Sequence, residues 1–339
     1  MILYLTEQGL KVNKESQRFK LFYPNSKKST EIRINDIEEI YIFGKISLSP
    51  SVIQTCLKRN IPVHFLSFSG NYLGKLGNFI GKNVELRLFQ FQTYFNPEKR
   101  NPLAKSFVKG KLINQKIFLT KLKQRYQIAQ LEGSIFRLNM FLNQLKQVKY
   151  IEEIMGLEGA GSKYYFEGLG LVFKKLGWDF PGRVKRPPTD PINALLSLGY
   201  TLLFSKLWIF VESASLDPYL GFLHSVDYGK PSLVLDLMEE WRPVIVDSVV
   251  IRCLAWKNLN PQDFTDVSLS DEEKYSIKLT TTGLKKFLKQ FQQRLNEEVF
   301  YNKLNKKYKY FNLFKEQVYH LARVLKGEEK VYNSFIMPK

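Results

Sequence analysis

The hydrophobic pattern of the first 78 or so residues consists of short apolar runs separated by turn residues. Runs of this length and spacing are typical of β-strands. The predicted strands are residues 2–5, 10–12, 19–22, 31–34, 39–43 and 62–66, with a further short run at 72–73. Residues 50–59 predict one short helix within this part, because Pro50 suits a first helical position and Ser49 suits its cap.

After Gly81 the apolar positions recur with a period near 3.6 residues, which indicates helices. Residues 85–95 predict a helix that breaks at Asn96, because the residue before a proline avoids the helical conformation. Residues 104–131 predict one long amphipathic helix. Its apolar stripe consists of Val108, Leu112, Leu119, Leu122 and Tyr126. Residues 261 to about 271 are polar and predict a loop.

These patterns predict an α+β fold of two domains, a small N-terminal β-domain followed by a mostly α-helical domain. A chain of 339 residues is long for one ordinary core, which also favours two domains. We expect the β-domain at residues 1–80, a linker and connecting helix at 81–103, and the helical domain at 104–339.

The most apolar stretch, residues 194–211, predicts a buried helix. Ser197, Ser205 and Lys206 interrupt it, which argues against a membrane span. The two cysteines, Cys56 and Cys253, lie far apart and are expected to be buried thiols, as in a reducing cytoplasm. We therefore expect a cytoplasmic protein with no membrane partner.

Positive charge dominates the chain. It has 51 Lys and Arg against 32 acidic residues, a net charge of +19, which favours a polyanionic partner such as nucleic acid. Residues 99–131 carry nine basic residues and no acid. Within them, one ridge beside the apolar stripe is formed by Lys105, Lys109, Lys116 and Lys123. The ridge predicts contact with a phosphate backbone, and a solvated helix face is the alternative.

Four side chains of the helical half can supply ligands to a hard divalent cation. Glu158 lies among glycines, His224 follows an apolar run, and Asp236 and Glu239 are three residues apart on one face of a predicted helix. Carboxylates with one imidazole suit Mg²⁺ or Mn²⁺. Each side chain also has an ordinary structural explanation, such as an ion-pair network with Arg242. The prediction therefore depends on the set.

Several short motifs follow one another along nearly the whole chain. They are Arg87-Leu88-Phe89-Gln90-Phe91, Lys111-Leu112-Ile113-Asn114-Gln115, Met155-Gly156-Leu157-Glu158-Gly159, Arg186-Pro187-Pro188, Leu216-Asp217-Pro218-Tyr219 and Asp236-Leu237-Met238-Glu239-Glu240. In this order they resemble the CRISPR-associated integrase family that inserts new spacers, the "Cas-one" proteins. The number and the order of the motifs carry this resemblance.

The resemblance implies a homodimer joined largely through the β-domains, with two such dimers flanking a dimer of the small partner "Cas-two". It also implies that Glu158, His224 and Glu239 are catalytic metal ligands, with Asp236 as a supporting carboxylate. Some members of the family have aspartate where Glu239 stands, and either carboxylate can bind a metal.

Together, the ligand set and the resemblance predict a metal-dependent DNA integrase and endonuclease. It would join the 3′-hydroxyl ends of a protospacer duplex to the repeat of a CRISPR array by transesterification. The candidates for DNA contact are Lys105, Lys109, Lys116, Lys123 and Arg242. Two alternatives stay open, a non-catalytic architectural DNA-binding protein and a repair nuclease that cuts branched DNA.

Overall fold

A computed structural model of the chain describes residues 1–24, 26, 29–77, 81–184, 187–268 and 275–338. Arg186 of the Arg-Pro-Pro motif lies outside these ranges, as does the end of the predicted loop after residue 268.

Two four-stranded sheets form the N-terminal part. Their strands are β1 (Ile2–Leu5), β2 (Lys11–Glu15), β3 (Arg18–Phe22), β4 (Ser29–Arg33), β5 (Glu39–Phe43), β6 (Ser47–Leu48), β7 (Val63–Leu66) and β8 (Tyr72–Leu76). The sheet orders are β1-β5-β7-β8 and β4-β3-β2-β6. Helix α1 (Pro50–Lys58) precedes β7, as predicted. The pattern did not predict β6, because two residues are too few to show a period.

Strand β5 is buried on both faces, because one face packs within the N-terminal part and the other packs against the helical part. Ile40 and Ile42 pack in a cluster between the two sheets. Tyr41 and Phe43 point the other way and belong to the core of the helical part. The strict alternation of a half-exposed strand is therefore absent here, as expected for the centre of a covered sheet.

Helices make up most of the remaining chain, so the predicted α+β fold is confirmed. They are α2 (Val84–Phe95), α3 (Pro97–Tyr126), α4 (Leu131–Gln147), α5 (Ile151–Lys175), α6 (Pro191–Ser213), α7 (Ser232–Met238), α8 (Ser248–Ala255), α9 (Thr281–Asn296) and α10 (Tyr310–Leu325).

The predicted limits of the long basic helix are wrong at both ends. Helix α3 begins at Pro97, because the Asn96 side chain accepts a hydrogen bond from the Glu98 N–H and Pro97 fits a first turn. It ends at Tyr126, where Gln127 adopts a left-handed backbone conformation with φ of 54°. The following residues start α4 instead of continuing α3.

The predicted loop from residue 261 is also wrong in part. Strand β9 (Phe264–Ser268) lies within that predicted loop and pairs antiparallel with β10 (Tyr275–Leu279). A second antiparallel pair, β11 (Glu298–Tyr301) with β12 (Lys306–Lys309), lies further along the chain. Thr265, Asp266 and Ser268 give this segment a polar composition that concealed the strand, which is defined by its pairing with β10.

Helix α6 is long and apolar enough to cross a membrane by length and composition alone. In the structure, 67% of its most apolar window is buried inside the protein, which agrees with the predicted core helix. Cys56 and Cys253 are free, buried thiols, as predicted.

Candidate metal centre

The predicted ligands Glu158, His224 and Glu239 line one cleft with a volume of about 2100 Å³. Glu158 lies within α5, His224 lies in the loop before α7, and Glu239 follows α7 directly. Helix α3 forms another wall and packs tightly on α5 at Gly161. A Cβ atom at Gly161 would lie only 2.3 Å from Leu112 Cδ2, so a larger residue would force the Leu112 side chain to shift.

The ammonium of Lys111 on α3 contacts both glutamates. Its Nζ donates a hydrogen bond to Glu158 Oε1 and lies 2.5 Å from Glu239 Oε2. Ser162, one turn after Glu158, donates a second hydrogen bond to Glu158 Oε1 at 3.0 Å. Lys111 is only 5% exposed, so an internal cation lies between these two carboxylates.

Glu239 is ionised although it is buried. Burial raises its pKa, but the charges of Arg242 and Lys111 outweigh burial and bring the pKa to about 2. Arg242 Nε donates to Glu239 Oε1 at 3.0 Å. Among the described residues, Oε2 has no hydrogen-bond partner of good geometry, since the contact with Lys111 is close but poorly aligned. Glu239 thus offers one buried, charged oxygen to a further ligand.

Asp236 orients His224. The backbone N–H groups of Phe222, Leu223 and His224 donate to its carboxylate, and the His224 Nδ1 lies 2.7 Å from Oδ1. Gly221 makes this loop geometry possible, because a Cβ there would lie 2.6 Å from the Ser232 backbone carbon. The fully buried Asp236 carboxylate is therefore occupied, and the Nε2 atom of His224 remains for a ligand.

The electrostatics of His224 follow from the same contacts. Burial lowers the pKa of the imidazole, but the hydrogen bond and the charge of Asp236 outweigh burial, so the pKa is raised overall. The predicted role of Asp236 as a supporting carboxylate stays a prediction. Its geometry suits positioning of the imidazole rather than direct coordination.

The part of the chain that the structure describes contains no group of three or more His, Cys, Asp or Glu side chains close enough to hold a metal ion as they stand. The donors nevertheless fit a hard divalent cation, because they are two glutamates, one of them with a buried oxygen that faces a cation, and one oriented imidazole. In this structure the cation at the glutamates is the Lys111 ammonium.

A second polar network adjoins this centre through a π-helical segment, Arg242–Asp247. Asp247 accepts hydrogen bonds from Tyr165 at 2.7 Å and Tyr200 at 2.6 Å, and burial raises its pKa to about 6. The Arg242 guanidinium lies 4.7 Å from the Tyr200 ring centre and pairs with Glu239. The predicted DNA contact Arg242 is thus an ion-pair partner of Glu239 in this structure.

Sequence reasoning overlooked the functional placement of Lys111 and Gln115. Both belong to a motif used for the family resemblance, and their i, i+4 spacing puts them on one face of α3. Both line the cleft, and the buried Gln115 Oε1 has no hydrogen-bond partner among the described residues. The sequence signal for their place in the cleft was a lysine and a glutamine, four residues apart, beside the apolar stripe.

The basic ridge on α3 lies partly against α4. Lys116 donates a hydrogen bond to Asn139 at 2.8 Å. Lys123 pairs with Glu132, an acid that lies directly after the basic stretch 99–131. Lys109 is exposed and Lys105 is half-buried. Of the described residues that line the cleft, none belongs to this ridge, so DNA contact by these lysines stays a prediction.

The family of the chain follows from sequence comparison. The family model described as CRISPR associated protein Cas1 matches residues 3–293. This chain therefore belongs to the Cas1 family, and the resemblance inferred from motif order is confirmed.

Two curated relatives extend over most of the chain. A CRISPR-associated endonuclease Cas1 of Thermus thermophilus is 35% identical over 299 residues, covering 88% of this chain and 86% of the relative. A Cas4 exonuclease/Cas1 endonuclease fusion of Geobacter sulfurreducens is 30% identical over 313 residues, covering 90% of this chain. The chain spans 55% of the length of that fusion.

Solved structures share the fold. A casposase bound to its integration product has a TM-score of 0.85 at 28% identity, covering 98% of this chain and 92% of the casposase. A Cas6-RT-Cas1–Cas2 complex contains a chain with a TM-score of 0.83 at 22% identity, which covers all of this chain and 36% of that one. At that identity, the second likeness concerns the fold alone.

Proposed function

We propose that this protein is a divalent-metal-dependent DNA integrase and endonuclease of CRISPR adaptation. It joins protospacer 3′-hydroxyl ends to the repeat of a CRISPR array. The observation that carries this proposal is the pairing of Glu158 and Glu239 around one cation beside the oriented imidazole of His224, in a single cleft. Membership of the Cas1 family and likeness to a casposase with an integration product support it.

Glu158, Glu239 and the His224 Nε2 would hold Mg²⁺ or Mn²⁺. When bound, the ion would supply Lewis-acid stabilisation of the charge that develops on the scissile phosphate. Asp236 fixes the imidazole orientation, and Arg242 fixes the Glu239 carboxylate from its other oxygen. Orientation of ligands by such neighbours is the usual contribution of a protein to a metal site.

The chemistry conserves phosphodiester bonds. The protospacer 3′-oxygen attacks a repeat phosphorus, one P–O bond forms, and the bond to the repeat 3′-oxygen breaks. The attacking hydroxyl loses a proton and the leaving 3′-oxygen gains one. Because one phosphodiester bond forms for each one that breaks, the reaction needs no nucleoside triphosphate. With water in place of the 3′-hydroxyl, the same site would act as an endonuclease.

The proposed partners are DNA, a second copy of this chain and a Cas2 dimer. The net charge of +19 supports DNA binding, and membership of the Cas1 family supports the Cas2 partner that the motif resemblance implied. The homodimer through the β-domain rests on the family resemblance. Two free buried thiols are compatible with a reducing cytoplasm, which is the proposed location.

An integration assay tests the proposal. A short duplex with 3′-hydroxyl ends is incubated with a repeat-bearing plasmid, the protein, its Cas2 partner and Mn²⁺ or Mg²⁺. We expect Glu158→Gln and His224→Ala to lower the rate at least about 100-fold, because the first removes the charge of one metal ligand and the second removes the imidazole ligand. Glu167→Gln is the matched control, since Glu167 lies on the same helix and also lines the cleft. It should retain nearly the full rate.

Other outcomes point to the alternatives. Wild-type rates in both Glu158→Gln and His224→Ala would refute the assigned site. DNA binding that is indifferent to EDTA, with no strand transfer under any condition, would favour the architectural protein. Cleavage of branched DNA without transfer to the repeat plasmid would favour the repair nuclease.

A further inference from the structure

Lys111 lies where it bridges two of the proposed metal ligands. Its ammonium contacts Glu158 Oε1 and Glu239 Oε2, and its side chain is 6% exposed. Arg242 holds the other Glu239 oxygen, so the oxygen facing Lys111 is the one left for a cation. The tight contact of α3 with α5 at Gly161 keeps the Lys111 backbone close to Glu158.

Two neighbouring carboxylates repel each other, and Glu239 is also buried away from water, so the pair requires a cation beside it. An ammonium satisfies this requirement in the metal-free protein. A divalent ion bound by the same oxygens would repel that ammonium strongly, because like charges a few ångströms apart interact strongly away from bulk water. The two cations therefore exclude each other at these oxygens.

We propose that Lys111 is an internal counter-cation that holds the divalent-ion position of the metal-free protein and leaves it when the ion binds. This inference rests on the proposed metal site of Glu158, His224 and Glu239. Lys111 is thus a positioning residue for the two glutamates, and it competes with the metal for them.

A consequence concerns DNA. Lys111 lines the cleft, so its flexible side chain can turn from the glutamates toward a phosphate bound there. DNA would then stabilise the displaced ammonium and strengthen metal binding, and by linkage the metal would strengthen DNA binding by the same factor. The free protein would bind the metal weakly, and the DNA complex would bind it tightly.

The test measures Mn²⁺ binding to the full chain without DNA, by titration calorimetry and by the electron paramagnetic resonance signal of free Mn²⁺. We expect Lys111→Met to bind Mn²⁺ about ten-fold more tightly than wild type or better, because the competing charge is gone. Its thermal midpoint without metal should fall, and the rise caused by Mn²⁺ should exceed that of wild type. Added DNA should tighten Mn²⁺ binding in wild type more than in the variant.

Two further lysine variants separate competition from general charge. Lys111→Arg keeps a cation beside the glutamates and should bind Mn²⁺ no more tightly than wild type. Lys163→Met removes a charge from the exposed cleft wall and should change the Mn²⁺ Kd by less than about three-fold, since screening weakens exposed charges.

Equal or weaker Mn²⁺ binding by Lys111→Met would overturn the inference while leaving the metal site intact. A Lys111→Met protein that stays unfolded both with and without Mn²⁺ would also overturn it, because the metal would have failed to replace the ammonium. Glu158→Gln distinguishes failure of the site itself. If that variant bound Mn²⁺ as wild type does, both the site and the inference would be wrong.

Discussion

The side chain of Asp236 shows how a buried acid can serve a site without touching the reacting groups. It is fully buried, and its oxygens accept three backbone N–H groups and face the imidazole of His224. Such a carboxylate has little capacity left for a metal. Its contact with Nδ1 leaves Nε2 of His224 as the nitrogen that can face the cleft.

Asp236→Asn should therefore damage metal binding without removing a ligand. The asparagine amide would turn one N–H donor toward the backbone donors or the imidazole, and the orientation of His224 would be lost. We expect the Mn²⁺ Kd to rise about 10- to 100-fold and the integration rate to fall in proportion. Asp227→Asn, an exposed acid of the same loop, is the control. Unchanged Mn²⁺ affinity in Asp236→Asn would show that the imidazole is oriented by other means.

At the scale of residues, the sequence predicted which side chains come together better than how they interact. Glu158, His224 and Glu239 were identified from motif order, and the structure brings them to one cleft. Lys111 was known only as part of a motif, because its charge looked like that of any other lysine on α3. Its partners lie on α5 and after α7, and no local pattern encodes which oxygens an ammonium meets across three segments.

At the scale of elements, residues 331–338, which lie in no helix or strand, bond to Glu240 and to α3 beside the site. Tyr332 donates to Glu240 Oε1 at 3.0 Å, and the Phe335 N–H donates to Glu240 Oε2 at 2.7 Å. Asn114, one turn beyond Lys111 on α3, bonds to both Phe335 and Met337. The neighbour of Glu239 and the helix of Lys111 are thus held by one segment that carries no helical or strand pattern.

His320 of α10 fixes the start of this segment and makes its docking sensitive to pH. The Lys303 ammonium lies 2.6 Å from Nδ1 and can only donate, so the imidazole is neutral and carries its proton on Nε2. Nε2 lies 3.1 Å from the Val331 carbonyl oxygen and 3.4 Å from the Asn333 backbone nitrogen. Burial, and then the charge of Lys303, lower the pKa of His320 to about 4, although Glu329 acts in the opposite direction.

The sign of the resulting pH dependence follows from linkage. Below pH 6.5 the unfolded chain protonates this histidine, while the folded protein does so only near pH 4, so stability is lost as the pH falls through that window. At pH 5 the loss from His320 is roughly 2 kcal/mol. Urea unfolding of wild type and His320→Gln at pH 7.5 and 5.0 measures it. Other titrating groups are common to both proteins, so equal losses in the two would contradict this role of His320.

Element boundaries were predicted where local chemistry sets them and missed where contacts between segments set them. The helix break at Asn96 follows from a cap and a proline, and the structure has it there. Strand β9 was predicted as loop because its partner β10, rather than its own composition, defines it. The end of α3 depends on a single left-handed residue, Gln127, which is not glycine and gives no signal in the sequence.

At the scale of the whole molecule, the excess positive charge is distributed in a way that the sequence does not show. The ridge on α3 is the most prominent basic pattern along the chain, yet Lys116 and Lys123 are engaged with α4. The cleft that contains Glu158 and Glu239 is lined by other basic residues, among them Lys163 and Lys278. These come from α5 and β10 and are far apart in the sequence.

Two double variants, each of which removes two positive charges, show which surface binds DNA. Lys163→Gln with Lys278→Gln should weaken binding of a short duplex about 10-fold or more near 0.1 M salt. The slope of log K against log salt concentration should become shallower by about two, because each lost phosphate contact removes about one from the slope. Lys116→Gln with Lys123→Gln should leave both quantities nearly unchanged, since those lysines bond to α4. Fluorescence anisotropy across a salt series measures both. If the ridge pair weakened DNA binding more than the cleft pair, the DNA would follow α3, as the sequence alone predicted.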